Sequence, residues 1–187
     1  MKLILASNSP RRKELLKKHG FEFEVISSDF EEKVFSNDPI ITAKTFAEGK
    51  AKEVFNTLEN KSGVVVLGAD TVVFSDGKIL GKPQSEKEAR AMLKSLSGKT
   101  HEVATGYALI SGKGKEVGVV VTKVTFNNLT EEIIEGYIKS GLYKGKAGSY
   151  GIQDGFALVE SYEGSLDNVI GLPTEAVVPL LKKLFCD

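Results

Sequence analysis

Three features of the sequence predict an α/β fold built on a partly antiparallel sheet. Residues 1–6 and 64–69 are short and almost wholly apolar, as strands covered on both faces are. Segments with apolar residues at helical spacing lie between and after them. Residues 102–110 and 116–126 read as two longer strands, and Ser111-Gly112-Lys113-Gly114 joins them as a hairpin. Together they predict one compact unit over residues 1–187, with a cleft and two lobes.

The elements can be justified in chain order. After the first strand, Ser9 is placed to cap a helix through its hydroxyl, and Pro10 suits the first helical position. That helix turns Leu15 and Leu16 inward and ends near Gly20. Residues 21–26 alternate as a second strand, and residues 27–38 form a polar loop with Asp29, Glu31 and Glu32. Pro39 opens a long helix through Phe46, Ala47, Ala51, Val54 and Phe55. The strand at 64–69 is expected to end at Asp70, with Thr71 and residues 72–74 following it. Asp76-Gly77 signals a turn. Ser85 with Glu88 makes a capping box, followed by Ala89, Met92, Leu93 and Leu96 at helical spacing. After the hairpin, Thr130 caps a helix carrying Ile133, Ile134, Tyr137 and Ile138. A glycine-rich stretch runs from Gly141 to Gly155, and residues 156–160 read as a strand. Pro173 opens a last helix, which Pro179 is expected to kink or divide.

Composition narrows the functional classes. Of 187 residues, 41% are hydrophobic and 27% charged, with zero formal net charge, so a globular core is affordable and duplex nucleic acid is a poor partner. No apolar run approaches the ~20 residues that span a membrane. The N-terminus opens on a strand pattern instead of a signal peptide, so a cytoplasmic location is expected. The single cysteine, Cys186, allows no internal disulfide, and His19 and His101 are too few for a structural zinc site.

Several residues can carry chemistry. Arg11 and Arg12 stand in the first turn of a helix, at the positive end of its dipole, where each costs roughly 0.3–1 kcal/mol. A bound phosphate or polyphosphate would relieve that conflict, with Ser7 and Ser9 as further donors; two solvated arginines are the plainer alternative. Asp70 is the sharpest single candidate, because its strand is too apolar to hold a free carboxylate. Lys82 is set between Gly81 and Pro83. Lys50 and Lys52 lie two apart on one helix, so only one can face a common site. Glu31 and Glu32 are both candidate metal ligands. Gln153 ends the segment Lys144-Gly145-Lys146-Ala147-Gly148-Ser149-Tyr150-Gly151-Ile152-Gln153, and its amide can both donate to and accept from a base edge. A Walker A loop is absent.

Further motifs stand in sequence: Ser7 to Arg12 with Glu14-Leu15-Leu16, Glu32, Lys50-Ala51, Gly68-Ala69-Asp70-Thr71 and Gly81-Lys82-Pro83. They continue with Leu96-Ser97-Gly98 and His101, Lys146-Ala147-Gly148 and Tyr150-Gly151-Ile152-Gln153, and Val169-Ile170-Gly171-Leu172-Pro173. This ordered set, covering essentially the whole chain, resembles the Maf nucleotide pyrophosphatases. Two positions depart from that pattern: Gly145 replaces an acidic residue, and Asp154 replaces a glycine. The resemblance implies an elongated, twisted mixed sheet flanked by helices, with two lobes around a deep cleft, similar to inosine triphosphatases. It implies hydrolysis of nucleoside triphosphates between the α and β phosphates with a divalent metal such as magnesium, manganese or cobalt. It also assigns roles: Asp70 is catalytic; Glu32 and Asp70 hold metal; Ser7, Ser9, Arg11, Arg12, Lys50 and Lys82 bind substrate. Arg12, Thr71 and Gln153 look like the branch acting on dTTP and UTP. The family is also linked to arrest of cell division and septum formation. A nucleotide-binding regulator of septation without turnover is the alternative, although pure phosphate binding gains nothing from Asp70 and Glu32. A nucleoside triphosphate is the expected partner; a homodimer is left open.

Overall fold

The computed structural model describes residues 1–33 and 36–186. Its elements are β1 (Lys2–Leu5), α1 (Pro10–Lys18), β2 (Glu24–Val25), α2 (Pro39–Thr57), β3 (Val64–Ser75), β4 (Lys78–Leu80) and α3 (Glu86–Leu96). They continue with β5 (Thr100–Ser111), β6 (Gly114–Phe126), α4 (Glu131–Ser140), a 3-10 turn (Ala147–Ser149), β7 (Val159–Glu163), α5 (Leu166–Ile170) and α6 (Thr174–Cys186). The seven strands form one mixed sheet in the order β2-β1-β3-β5-β6-β7, with β4 added to the edge of β3. β1 pairs in parallel with β2 and β3, and all other pairings are antiparallel. No helix among the described residues is long and apolar enough to cross a membrane.

The long strands carry apolar cores toward both ends. Near β1, Leu3, Leu5, Val65 and Leu67 point to one face and meet Leu16 of α1 and Leu181 of α6. Ile4, Val64 and Val66 point to the other face and meet Ala47, Ala51 and Val54 of α2. That alternation is the period of two that a strand imposes. Toward the other end, Val73, Val103, Val124 and Phe126 pack with Leu93 of α3, Tyr137 of α4 and Tyr150. The two-lobed reading holds in this sense, because the cleft opens between the two groups of core residues.

Several elements differ from expectation. The second strand shrinks from 21–26 to Glu24–Val25, and the last shifts from 156–160 to Val159–Glu163, since both lie on sheet edges where one partner sets the length. Ser9 sits at the N-cap of α1 without a side-chain cap bond; its own N–H bonds the Ser7 hydroxyl at 3.2 Å. Pro179 does not divide α6, which runs unbroken to Cys186. The polar loop at 27–38 is a loop wherever described, and residues 34 and 35 of it lie outside the described residues.

The largest difference concerns Asp70, which does not end a strand. β3 continues to Ser75 because β5 pairs with it over residues 65–74, Asp70 opposite Gly106 and Thr71 opposite Thr105. On its other edge, β1 covers only residues 64–67 and β4 only 73–75. Residues 68–72 therefore lack a strand partner there among the described residues, and the cleft opens at this gap. Side chains alternate, so Asp70 enters from one face of the sheet and Thr71 from the other.

Helix α2 reaches the sheet through small residues. Ala43, Ala47 and Ala51 are fully buried against β3 and β5. A Cβ at Gly106 would stand 2.2 Å from the Ala43 carbonyl oxygen, and one at Gly68 2.3 Å from that of Ala47. Only glycine permits this approach. We expect Gly106→Ala to push α2 outward and cost about 1–3 kcal/mol, the usual range for overpacking. Urea denaturation checks this, and an unchanged midpoint would show that the helix yields freely.

Candidate active site

The close seating of α2 brings Lys50 over β3. Its ammonium lies 2.5 Å from Asp70 Oδ1 and 2.6 Å from Glu32 Oε1, so one cation bridges two carboxylates. Asp70 is 5% exposed and Lys50 9%. Lys52 is exposed on the same helix, which resolves the choice between the two lysines. Glu31 is solvated and pairs with Lys33, which resolves the choice between the glutamates. The loop carrying Glu32 is tied to α2 through Glu53, which accepts from the Ser28 hydroxyl and from the Asp29 N–H at 3.0 Å. Phe30 packs on Phe46 beside it.

The two carboxylates shift in opposite directions. Burial pushes the Asp70 carboxyl above its ordinary range, and the charges of Lys50 and Arg12 offset this only in part. Burial acts to raise Glu32 as well, but the hydrogen bond and charge of Lys50, with Lys82 and Arg12, outweigh it and hold Glu32 below its ordinary range. The half-exposed Lys82 ammonium stands 3.6 Å from Glu32. Glu32 and Asp70 form a two-carboxylate donor set, which fits a magnesium-like ion, since such ions take one or two carboxylates and complete their shell with water and phosphate. Among the described residues no cluster of three or more His, Cys, Asp or Glu side chains could hold a metal by itself.

The opposite face of β3 holds a different arrangement. Arg12 donates from Nε to the Gly171 carbonyl at 2.8 Å, from Nη1 to Ser7 Oγ at 3.0 Å and from Nη2 to Thr71 Oγ1 at 3.2 Å. Arg11 Nε donates to the Ile170 carbonyl at 3.2 Å. The conflict between these arginines and the positive end of α1 is thus answered without an anion, by carbonyl oxygens at the C-terminal end of α5. Three of the five N–H donors of Arg12 are engaged, leaving two.

The cleft between these faces is lined by Ser9, Arg11, Arg12, Asp70, Thr71, Lys82, Lys146, Tyr150 and Gln153, among others. Ser7 and Lys50 stand behind that lining, Ser7 on Arg12 and Lys50 on Asp70 and Glu32. Every other predicted site residue except Glu32 lines it directly, and Glu32 reaches it through Lys82. Behind Tyr150, its hydroxyl lies 2.7 Å from His101 Nε2, and burial pushes the His101 imidazole down to about 4, so it is neutral at pH 7.

Sequence reasoning gave no site role to five further residues. Lys146 is buried against Asp154, which also accepts from the Tyr137 hydroxyl at 2.6 Å. Tyr137 in turn accepts from the Gly151 N–H at 3.1 Å, so this network holds the loop that carries Gln153. The acid at 154 and its absence at 145 were the signal available. Thr105 lies buried behind Thr71, and Asn168 behind Thr105, on strands and helices where a threonine or asparagine attracts no notice.

A family model described as Maf-like protein matches residues 2–184. A Pyrococcus abyssi protein named dTTP/UTP pyrophosphatase is 48% identical over 183 residues, 96% of this chain and 95% of that one. A protein of the same name from Bacillus thuringiensis is 46% identical over 188 residues, covering 100% of this chain and 97% of its own. One from Thermotoga maritima is 47% identical over 174 residues, covering 92% and 84%. Among solved structures, the Ham1 protein of Staphylococcus aureus aligns with 68% of this chain and 73% of its own at a TM-score of 0.49 and 13% identity.

The Lys50 bridge has a measurable stability. Lys50→Met leaves Asp70 and Glu32 without their shared cation, and breaking a buried pair this way costs about 3–5 kcal/mol. Without the ammonium the Asp70 carboxyl, already raised by burial, rises further, so the loss is fully present above that raised value and shrinks as pH falls through it. Chemical denaturation at neutral and mildly acidic pH checks this; a deficit that is the same at both would mean that Lys50 acts only as packing.

Proposed function

The chain belongs to the Maf-like protein family, and from that premise we propose that it hydrolyses dTTP and UTP to the monophosphate and pyrophosphate. The reading rests on one observation above the others. A buried carboxylate held above its ordinary range, Asp70, faces a cleft whose remaining charged groups are mostly cations. That combination suits attack by water on a polyanion, and it goes beyond what simple storage of phosphate needs. The names of the relatives in Pyrococcus abyssi and Bacillus thuringiensis supply the substrates.

In this reading each group has a physical task. Asp70 takes a proton from the water that cleaves the bond between the α and β phosphates, and its raised pKa makes it a better base than a solvated aspartate. Lys50 keeps the Asp70 charge tolerable in a buried position and holds Glu32 beside it. Lys82, Arg11 and the Ser9 hydroxyl neutralise and orient the polyphosphate as charge shifts onto the leaving pyrophosphate. Glu32 and Asp70 would hold a divalent cation, which when bound supplies further neutralisation of the phosphates. Thr71, Arg12 and Gln153 face the base. The Gln153 amide can donate to the O4 that thymine and uracil share. No covalent intermediate is needed.

Incubation of the protein with dTTP and magnesium, followed by chromatography, should yield dTMP and pyrophosphate. Formation of dTDP and orthophosphate would contradict the bond assigned, and equal rates on dTTP, dATP and GTP would contradict the base assigned. Asp70→Asn keeps the shape of the side chain, so turnover should fall at least ~10²-fold while nucleotide affinity changes far less. An Asp70→Asn protein of normal turnover would remove Asp70 from the chemistry.

A further inference from the structure

Thr71 ends a chain of hydroxyl and carbonyl groups whose hydrogens can be counted. Thr105 is fully buried, and its hydroxyl donates to the Asn168 carbonyl oxygen at 2.8 Å. A carbonyl only accepts, so the one hydroxyl hydrogen of Thr105 is used there. Thr105 Oγ1 also lies 3.0 Å from Thr71 Oγ1, and the hydrogen of that contact must come from Thr71. Arg12 Nη2 donates to Thr71 Oγ1 at 3.2 Å, and a guanidinium cannot accept. Thr71 therefore turns no hydrogen toward the cleft it lines and keeps only lone-pair density for a ligand.

The far end of the chain is anchored. Asn168 is fully buried, and its Nδ2 donates to the Val103 carbonyl at 3.0 Å and to Thr122 Oγ1 at 2.9 Å. Its own N–H is capped by the Ser165 hydroxyl at 3.1 Å. The Asn168 carbonyl is thus held in place as an acceptor, and the direction of every hydrogen between it and the cleft follows.

We propose that Thr105 is a positioning residue that makes Thr71 an acceptor-only group, so that the cleft selects pyrimidines with a ring N–H over those without one. Uracil and thymine carry that hydrogen on N3. Cytosine presents a lone pair there, which would meet the lone pair of Thr71. A glutamine amide can flip to suit either edge, so Gln153 alone cannot enforce the choice; a hydroxyl whose hydrogen is already used can. The inference rests on the reading above that Thr71 faces the base.

The test compares UTP with CTP on the wild type, Thr105→Val and Thr105→Ser. Valine removes the hydroxyl at constant shape and frees the Thr71 hydrogen to donate. The preference for UTP over CTP, taken as a ratio of kcat/KM, should fall about tenfold or more in Thr105→Val and return in Thr105→Ser. A purely structural role would lower both substrates together and leave the ratio unchanged, which would overturn the proposal. Calorimetric affinities of UTP and CTP, measured without divalent metal to prevent turnover, read the same preference at the level of binding. If no form hydrolyses UTP, the proposed activity fails while the affinity ratio still decides the role of Thr105. If Thr105→Val does not fold, the wild type suffices: its UTP preference should collapse as pH is raised past ionisation of the uracil N3–H. A preference that persists there would overturn the proposal.

Discussion

The Asp70 carboxylate is buried in the middle of a strand, and the structure around it is arranged so that this is tolerable. An unpaired ion there would be neutralised or would unfold the protein. The Lys50 ammonium answers it at 2.5 Å, but only because α2 lies close enough on the sheet for a lysine stem to reach. That closeness depends on Gly68 and Gly106, where any side chain would strike the helix backbone. Lys50 then holds Glu32, and with it the loop between β2 and α2. A chain of requirements thus runs from two glycines in the sheet to a pair of carboxylates at the cleft.

The sheet supplies the second part of the design. β3 is long because β5, itself backed by β6 in a hairpin, pairs with it over residues 65–74. Its other edge is covered at both ends and open in the middle, where Asp70 and Thr71 lie. An open edge would ordinarily invite pairing with another chain. Here the start of α1, with Arg11 and Arg12, and the turn between α5 and α6 stand beside it. Because strand side chains alternate, this single gap presents a charged face through Asp70 and a hydroxyl face through Thr71.

Arg12 joins elements distant in sequence. It ties the first helix to Thr71 in β3 and to the Gly171 carbonyl. The Lys146–Asp154–Tyr137 network does the same for the opposite wall and its glutamine. In both cases a charged group, buried or partly so, is matched by fixed dipoles or an opposite charge, so the cleft walls are polar and yet ordered.

The sequence by itself determined the element types, the hairpin, the family resemblance and most of the candidate residues that line the cleft, because periodicity, glycine turns and motif order are local properties of the chain. It also marked Asp70, since a carboxylate within such an apolar run needs a partner. Only the tertiary structure decided that the partner is Lys50 and not Lys52, and that Glu32 and not Glu31 shares it, because helix phase and loop course select among neighbours. The continuation of β3 past Asp70 was likewise out of reach, since strand length is set by the strands that pair with it. The helix-start arginines illustrate the same limit. Their conflict with the dipole was legible, but its resolution came from carbonyl oxygens some 159 residues away along the chain. Thr105 left no trace at all in the sequence, because the direction of a hydroxyl hydrogen is fixed by its neighbours in space and by nothing in the residue itself.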